Sequence, residues 1–208
     1  MTMNRRGLGV WLKGIVHPAF LVLIGLVVFA PRPTSAEDFG AFKGDFIFRW
    51  LIDGRKMELT SALVYTDPKG TTWEVPSGAI TDGASVPRVF WTYADPFVGE
   101  HRNAAVIHDH YCETKSRSWT ATHLMFYQAM RAAGVPEVRA KVLYSAVYYF
   151  GPRWGIGTAS KGPGATQSLT TEQERAVLNG VEEWIAASDP TIPDLNKRLD
   201  TLSPAIAR

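Results

Sequence analysis

The 208-residue chain has a single cysteine, Cys112. An internal disulfide framework and a Cys-rich zinc site are therefore excluded. Acidic residues are absent from the first 36 positions, which carry Arg5, Arg6, Lys13 and Arg32. Beyond that segment, 18 basic side chains face 20 acidic ones, so the formal +2 of the whole chain becomes −2. Without a basic excess, a generic affinity for nucleic acid is not expected. The chain also lacks several catalytic signatures. Gly155-x-Gly157 runs on to Ser160 rather than to a third glycine, and Lys161 is followed by Gly162 instead of Ser or Thr. These mismatches exclude a dinucleotide loop and a phosphate loop. No His-Glu-x-x-His helix and no Gly-x-Ser-x-Gly elbow is present.

What is present suits a folded domain. Hydrophobic residues make up 46% of the chain and charged residues 20%, enough apolar surface to offset ordering entropy. Residues 1–36 have the order of an export signal. Arg5, Arg6 and Lys13 form a basic region, residues 19–30 an uncharged apolar run, and Thr34-Ser35-Ala36 a small-residue site after Pro31 and Pro33. The run is shorter than the roughly 20 residues of a comfortable bilayer span. The expectation is cleavage near Ala36 and a periplasmic or secreted mature protein. The alternative is an uncleaved N-terminal anchor, since Ile15 and Val16 extend the apolar stretch across Pro18. In either case the N-terminal segment is the only membrane contact expected.

The remaining chain reads as strands first and helices after. Residues 45–52 and 56–65 are rich in aromatic and aliphatic side chains, with Asp53-Gly54 between them as a hairpin signal. A turn at 67–70 precedes a third strand at 71–75. From about Glu100 the period becomes helical. Ala104, Ile107, His108, Tyr111 and Cys112 form one stripe, and His123, Phe126, Met130 and Ala133 form the next, ending at Gly134. Pro136 fits the first turn of a third helix, reaching about Phe150. Residues 151–168 read as a Gly-rich connector. Thr171 and Glu174 suggest a capping box for a fourth helix to about Ala187, and the tail from Pro190 shows little apolar pattern. The expected class is α+β, a small antiparallel sheet followed by a packed bundle of three to four helices. The expected organisation is a signal peptide at 1–36, a core domain at 37–151, and a connector, helix and Pro-containing tail at 152–208.

Three segments can carry chemistry. In residues 75–87, Asp82 lies before Gly83, and Ser85 can cap a short helix with Pro87 in its first turn. The plain reading is a structural turn, with Asp82 bonding nearby backbone N–H groups. In residues 108–112, His108 and His110 point about 200° apart on a helix, whereas His108 and Cys112 share a face. That face is the apolar stripe, so His108 points inward, either as a core histidine or as a base or ligand beside Asp109. A buried, inert Cys112 is favoured over a thiol nucleophile. His123 lies on the inward stripe of the next helix. An antiparallel helix hairpin would bring His108 and His123 together as metal ligands or an acid–base pair.

The order of these segments resembles the domain-of-unknown-function family numbered 1353, found in phages and bacteria. The family pattern VPxGFxTDGASVP corresponds to residues 75–87, its FW to Phe90-Trp91, and its AAVxHDYLY helix to residues 104–112. Its ADxxF…AM…GV helix corresponds to residues 121–135, and its Tyr-containing helix ending in Gly to residues 144–151. The resemblance covers roughly residues 42–151 and implies the fold more than an activity. It carries over Asp82, Ser85, His108 and Asp109. His123 stands where the family pattern has Asp, and Cys112 where it has Tyr. The His-Asp dipeptide on a helix also resembles secreted phospholipases A2, in which the His activates water and the neighbouring Asp binds calcium. The disulfides and Gly-rich calcium loop of those enzymes are absent here.

The resulting expectation is an exported hydrolase acting on an envelope substrate such as lipid or peptidoglycan. His108 would be the general base and Asp109 its orienter, with Asp82, Ser85, Tyr111 and His123 lining the site. A divalent metal would be held by Asp109 and His123. The rival is a non-catalytic envelope or phage-derived interaction module, in which the same polar groups tie the helices to the Asp82 turn. The partner is an envelope substrate or an envelope protein.

Overall fold

The computed structural model describes residues 37–54, 56–81, 99–155, 158–161 and 169–202. The chain divides after Ala36, and the portion from Glu37 onward packs as one compact unit. The expected signal segment, and the expected site residues Asp82 and Ser85, lie outside the described residues.

Six short strands come first: β1 (Ala41–Lys43), β2 (Phe48–Trp50), β3 (Met57–Leu59), β4 (Leu63–Thr66), β5 (Thr72–Val75) and β6 (Ile80–Thr81). They form two antiparallel three-stranded sheets, ordered β1-β4-β5 and β2-β3-β6. Inward and outward positions alternate at the strand period of two. Leu63 pairs with Val75 and Tyr65 with Trp73, all four buried. The outward face of the other sheet carries the registered pair Arg49–Glu58, 2.7 Å apart.

The single strand expected over 56–65 is two strands in different sheets. Between them Thr60 N–H donates to the Ile47 carbonyl at 2.9 Å, and the Ser61 hydroxyl to the Asp45 carbonyl at 3.2 Å. These bonds turn the chain from one sheet into the other, an alternative that short hydroxyl side chains readily offer the backbone. The Asp53-Gly54 turn does close the β2–β3 hairpin, with Gly54 at φ +65°.

Five helices follow: α1 (Arg102–Thr114), α2 (Trp119–Ala132), α3 (Glu137–Phe150), α4 (Thr171–Ser188) and α5 (Ile192–Thr201). Ser118 caps α2 by accepting from Ala121 N–H, and Gly134 leaves α2 at φ +92°. α3 is buried at every position from Ala140 to Phe150, the pattern of a helix covered on all sides. It packs against α2, α4 and α5. Its tyrosines reach α5 and the residue after it: Tyr144 donates to Asn196, Tyr148 to Asp200, and Tyr149 to the Leu202 carbonyl. Lys141, on the same helix, bonds Glu137 and Asp189.

The connector and tail hold more structure than the sequence pattern suggests. Residues 152–161 contain a hairpin of β7 (Pro152–Gly155) and β8 (Thr158–Lys161). The tail forms α5, which buries Leu195 and Leu199 completely. Burying two leucines is worth roughly 1.5–3 kcal/mol each, which suffices to dock a ten-residue helix. The capping box of α4 lies one position earlier than expected, at Thr170 and Gln173. Among the described residues the bundle therefore has five helices, where three to four were expected. Among the described residues, no helix is long and apolar enough to cross a membrane.

Candidate functional site

α1 presents different chemistry on two of its faces. One face meets α2 across the short connection at residues 115–118. There His108 Nε2 lies 2.9 Å from His123 Nδ1, and both side chains are fully buried. Cys112 lies one turn along the same face. Its Sγ is 3.6 Å from His108 Nε2 and 3.7 Å from Nδ1, nearly equidistant from the two ring nitrogens. Trp119, Phe126 and Trp154 pack around the histidines, with ring centroids 4.8–6.1 Å away.

The tautomers follow from the end of this chain of contacts. His123 Nε2 lies 3.2 Å from the Pro152 carbonyl, which can only accept. Nε2 therefore carries the hydrogen, and Nδ1 presents its lone pair to His108, whose Nε2–H donates. β7 is held in place to supply that carbonyl, since Trp154 Nε1 donates to the Arg117 carbonyl at 2.7 Å. Burial holds the pKa of His108 well below the ordinary histidine value, and His123 beside it adds to the effect. Burial pushes His123 down to about 4; the Pro152 carbonyl opposes this and Arg153 reinforces it. Both rings are neutral near pH 7. Burial, then the negative charge of Asp109, pushes the Cys112 thiol far up, the opposite of what a thiolate nucleophile needs.

The neighbouring face of α1 meets β6. Thr81 Oγ1 donates to Asp109 Oδ2 at 2.7 Å, and the Asp109 side chain is almost fully buried. Asp109 stands in the wall of an open cleft of about 520 Å³. The described walls also include Lys56, Thr81, His110 and Glu113, over a floor of Leu59, Val75 and Val106. His110 and Glu113 share this side with Asp109 through spacings of three and four residues. Burial lowers the pKa of His110, with Glu113 opposing.

The structure therefore joins His108 to His123 and Cys112, and joins Asp109 to Thr81. It does not join His108 to the cleft in whose wall Asp109 stands: His108 has no exposed surface, and its ring turns to α2. Tyr111 belongs to neither group. Its hydroxyl accepts from Glu74 N–H at 3.2 Å, and its ring packs on Trp73 and beneath Arg117. Sequence reasoning did not identify Thr81, Lys56, His110 and Glu113 as cleft residues. The helical spacing of 109, 110 and 113 was an available signal, whereas the Pro152 carbonyl, a backbone group, left none.

Residues 57–147 match the family described as "Protein of unknown function (DUF1353)". The match contains Thr81, His108, Asp109, Cys112 and His123 and ends before Pro152. The chain is similar to the uncharacterized protein y4jT of Sinorhizobium fredii (strain NBRC 101917 / NGR234), with 46% identity over 130 residues, 60% of this chain and 38% of that relative. It is also similar to the uncharacterized protein y4iH of the same strain, with 45% identity over 96 residues, 44% of this chain and 38% of that relative. Each match thus spans well under half the length of the curated relative. No solved structure matches the chain.

Proposed function

Residues 57–147 are a DUF1353 family domain, and on that footing we propose that the protein is an exported hydrolase of a cell-envelope substrate whose working site is the cleft at Asp109. The observation that carries this reading is the Thr81–Asp109 bond at the wall of the open cleft. It joins the two segments that hold the family-like motifs, and it fixes a nearly buried carboxylate beside a space large enough for a small substrate group. Asp109 acts as general base. It takes a proton from water, the water oxygen adds to the carbonyl carbon of an ester or amide, and the proton passes to the leaving group. Lys56, at the rim, offers a positive charge to an anionic headgroup or carboxylate. His108 has a positioning role in this scheme, fixing α1 against α2 from behind the cleft. Export rests on the order of basic, apolar and small residues in 1–36.

The experiment is hydrolysis of envelope lipids and of peptidoglycan by purified protein, compared with Asp109→Asn. Asparagine keeps an oxygen for Thr81 but cannot act as base. The expected outcome is a loss of about 10²–10⁴ in rate with little change in melting temperature. Equal rates would remove Asp109 from the chemistry.

A second reading, the non-catalytic interaction module, is favoured by the closure of His108, His123 and Cys112 in the interior, where neither histidine has any exposed surface. On that reading wild type and Asp109→Asn are equally inactive on every substrate, and the cleft serves as a docking surface.

A further inference from the structure

We propose that His108, Cys112 and His123 form a three-coordinate site for a monovalent copper ion, buried between α1 and α2. The site is separate from the Asp109 cleft and does not depend on the hydrolase reading. One ring nitrogen from each histidine and the Cys112 Sγ all lie within 4.8 Å of one another. The closest edges are 2.9 Å between the nitrogens and 3.6 Å between His108 Nε2 and Sγ. With metal–nitrogen and metal–sulfur bonds of about 2.0–2.3 Å, ligand atoms around one ion stand roughly 3.3–3.8 Å apart. Of the two closest edges one lies below that range and one within it, and the third lies within 4.8 Å, so an opening of roughly half an ångström between the rings, with rotation of the Cys112 side chain toward His123, seats the ion.

The orientation of the ligands is an independent observation. The Pro152 carbonyl accepts from His123 Nε2–H and so aims the Nδ1 lone pair into the triangle. Outer carbonyl acceptors of this kind fix the tautomer of metal-bound histidines. His108 and Cys112, four residues apart on α1, project from one face and supply the other two atoms. His108 binds through Nε2 once its hydrogen moves to Nδ1.

The choice of ion follows from ligand type, ligand number and charge. One thiolate and two imidazoles form a soft to borderline set that suits copper(I) and zinc. Among the described residues this group has three members, whereas structural zinc takes four ligands. A monovalent ion and one thiolate sum to zero charge. That neutrality matters in an interior walled by Trp119, Phe126 and Trp154, where a net charge is costly. On binding, the Cu–S bond replaces the S–H bond and the thiol proton leaves to solvent. Copper enters already as copper(I), and no electron is transferred.

The test uses the full chain, reduced and stripped with chelator, titrated without oxygen against the copper(I)–bicinchoninate complex. The expected result is withdrawal of one equivalent of copper by wild type, with affinity reduced at least about tenfold in Cys112→Ser and in His123→Gln. X-ray absorption of the loaded wild type should show one sulfur and two nitrogen neighbours, a readout that does not require either variant to fold. The proposal is overturned if wild type takes no copper from the indicator, if folded variants take it equally well, or if the absorption spectrum lacks sulfur. Displacement of the bound ion by an equimolar amount of zinc would overturn the choice of copper(I).

Discussion

The Nε2 atom of His108 and the Nδ1 atom of His123 stand 2.9 Å apart, with both side chains sealed from solvent. Holding two histidines neutral in the interior links stability to pH. In the unfolded chain each ring titrates near 6.5, whereas in the fold His123 titrates at about 4 and His108 well below its ordinary value. Below pH 6.5 the unfolded chain therefore binds protons that the native state refuses, so the stabilisation is complete above that pH and is lost as pH falls toward 4. For His123 alone the loss by pH 4 is about 3 kcal/mol, and His108 adds in the same direction. Urea midpoints of metal-free protein from pH 7 to pH 4 should fall steadily. His123→Gln should flatten that slope, and an unchanged slope would place the acid sensitivity elsewhere.

Thr81→Val removes the hydroxyl that donates to Asp109 while keeping the side-chain shape. A hydrogen bond to a charged, buried acceptor contributes about 1.5–3 kcal/mol, so equilibrium unfolding should show a destabilisation of that order. Thr81→Ser, which retains the donor, should recover most of it. Similar losses in both variants would mean that the methyl group, not the hydroxyl, is what β6 needs.

Lys141 is buried along its stem but bonds two acids that remain in contact with water, Glu137 and Asp189. Those bonds raise its pKa, against the lowering effect of burial. In Lys141→Met the stem still packs and the acids rehydrate, so the expected cost is about 1 kcal/mol or less. Two stranded buried carboxylates would instead cost about 3–5 kcal/mol. Thermal melting separates the two magnitudes.

Gly40 and Gly44 make a matched pair. Both have φ near +80°. A Cβ on Gly40 would lie 2.1 Å from the Thr66 carbonyl, whereas nothing lies within 4 Å of one on Gly44. Gly44→Ala should therefore cost only the left-handed backbone penalty of about 1–2 kcal/mol. Gly40→Ala should cost more, because β1 must also shift against β4. Equal melting temperatures would show that the β1 edge yields freely.

The helical hairpin was legible because its signals are local. The stripes of α1 and α2 recur at helical spacing, Gly134 ends α2, and together they place His108 opposite His123. Cys112 followed from its four-residue offset. Two elements were obscured for identifiable reasons. The run 56–65 has strand composition throughout, and its break depends on where Thr60 and Ser61 find carbonyls, a matter of tertiary register. α5 buries only Leu195 and Leu199, too few apolar positions to show a period among prolines, although Thr191 and Asp194 mark its start. The Thr81–Asp109 bond needed the pairing of β6 with β3 to be known, and a carbonyl such as that of Pro152 looks alike in every sequence.

The tyrosine face of α3 has a consequence for the timing of folding. Tyr144 and Tyr148 find their partners 52 residues further along the chain. While the chain emerges from the ribosome, the most enclosed helix of the bundle has a bare side until α5 has followed it out. Closure of the helical layer therefore waits on α5, the last of the described helices to be made.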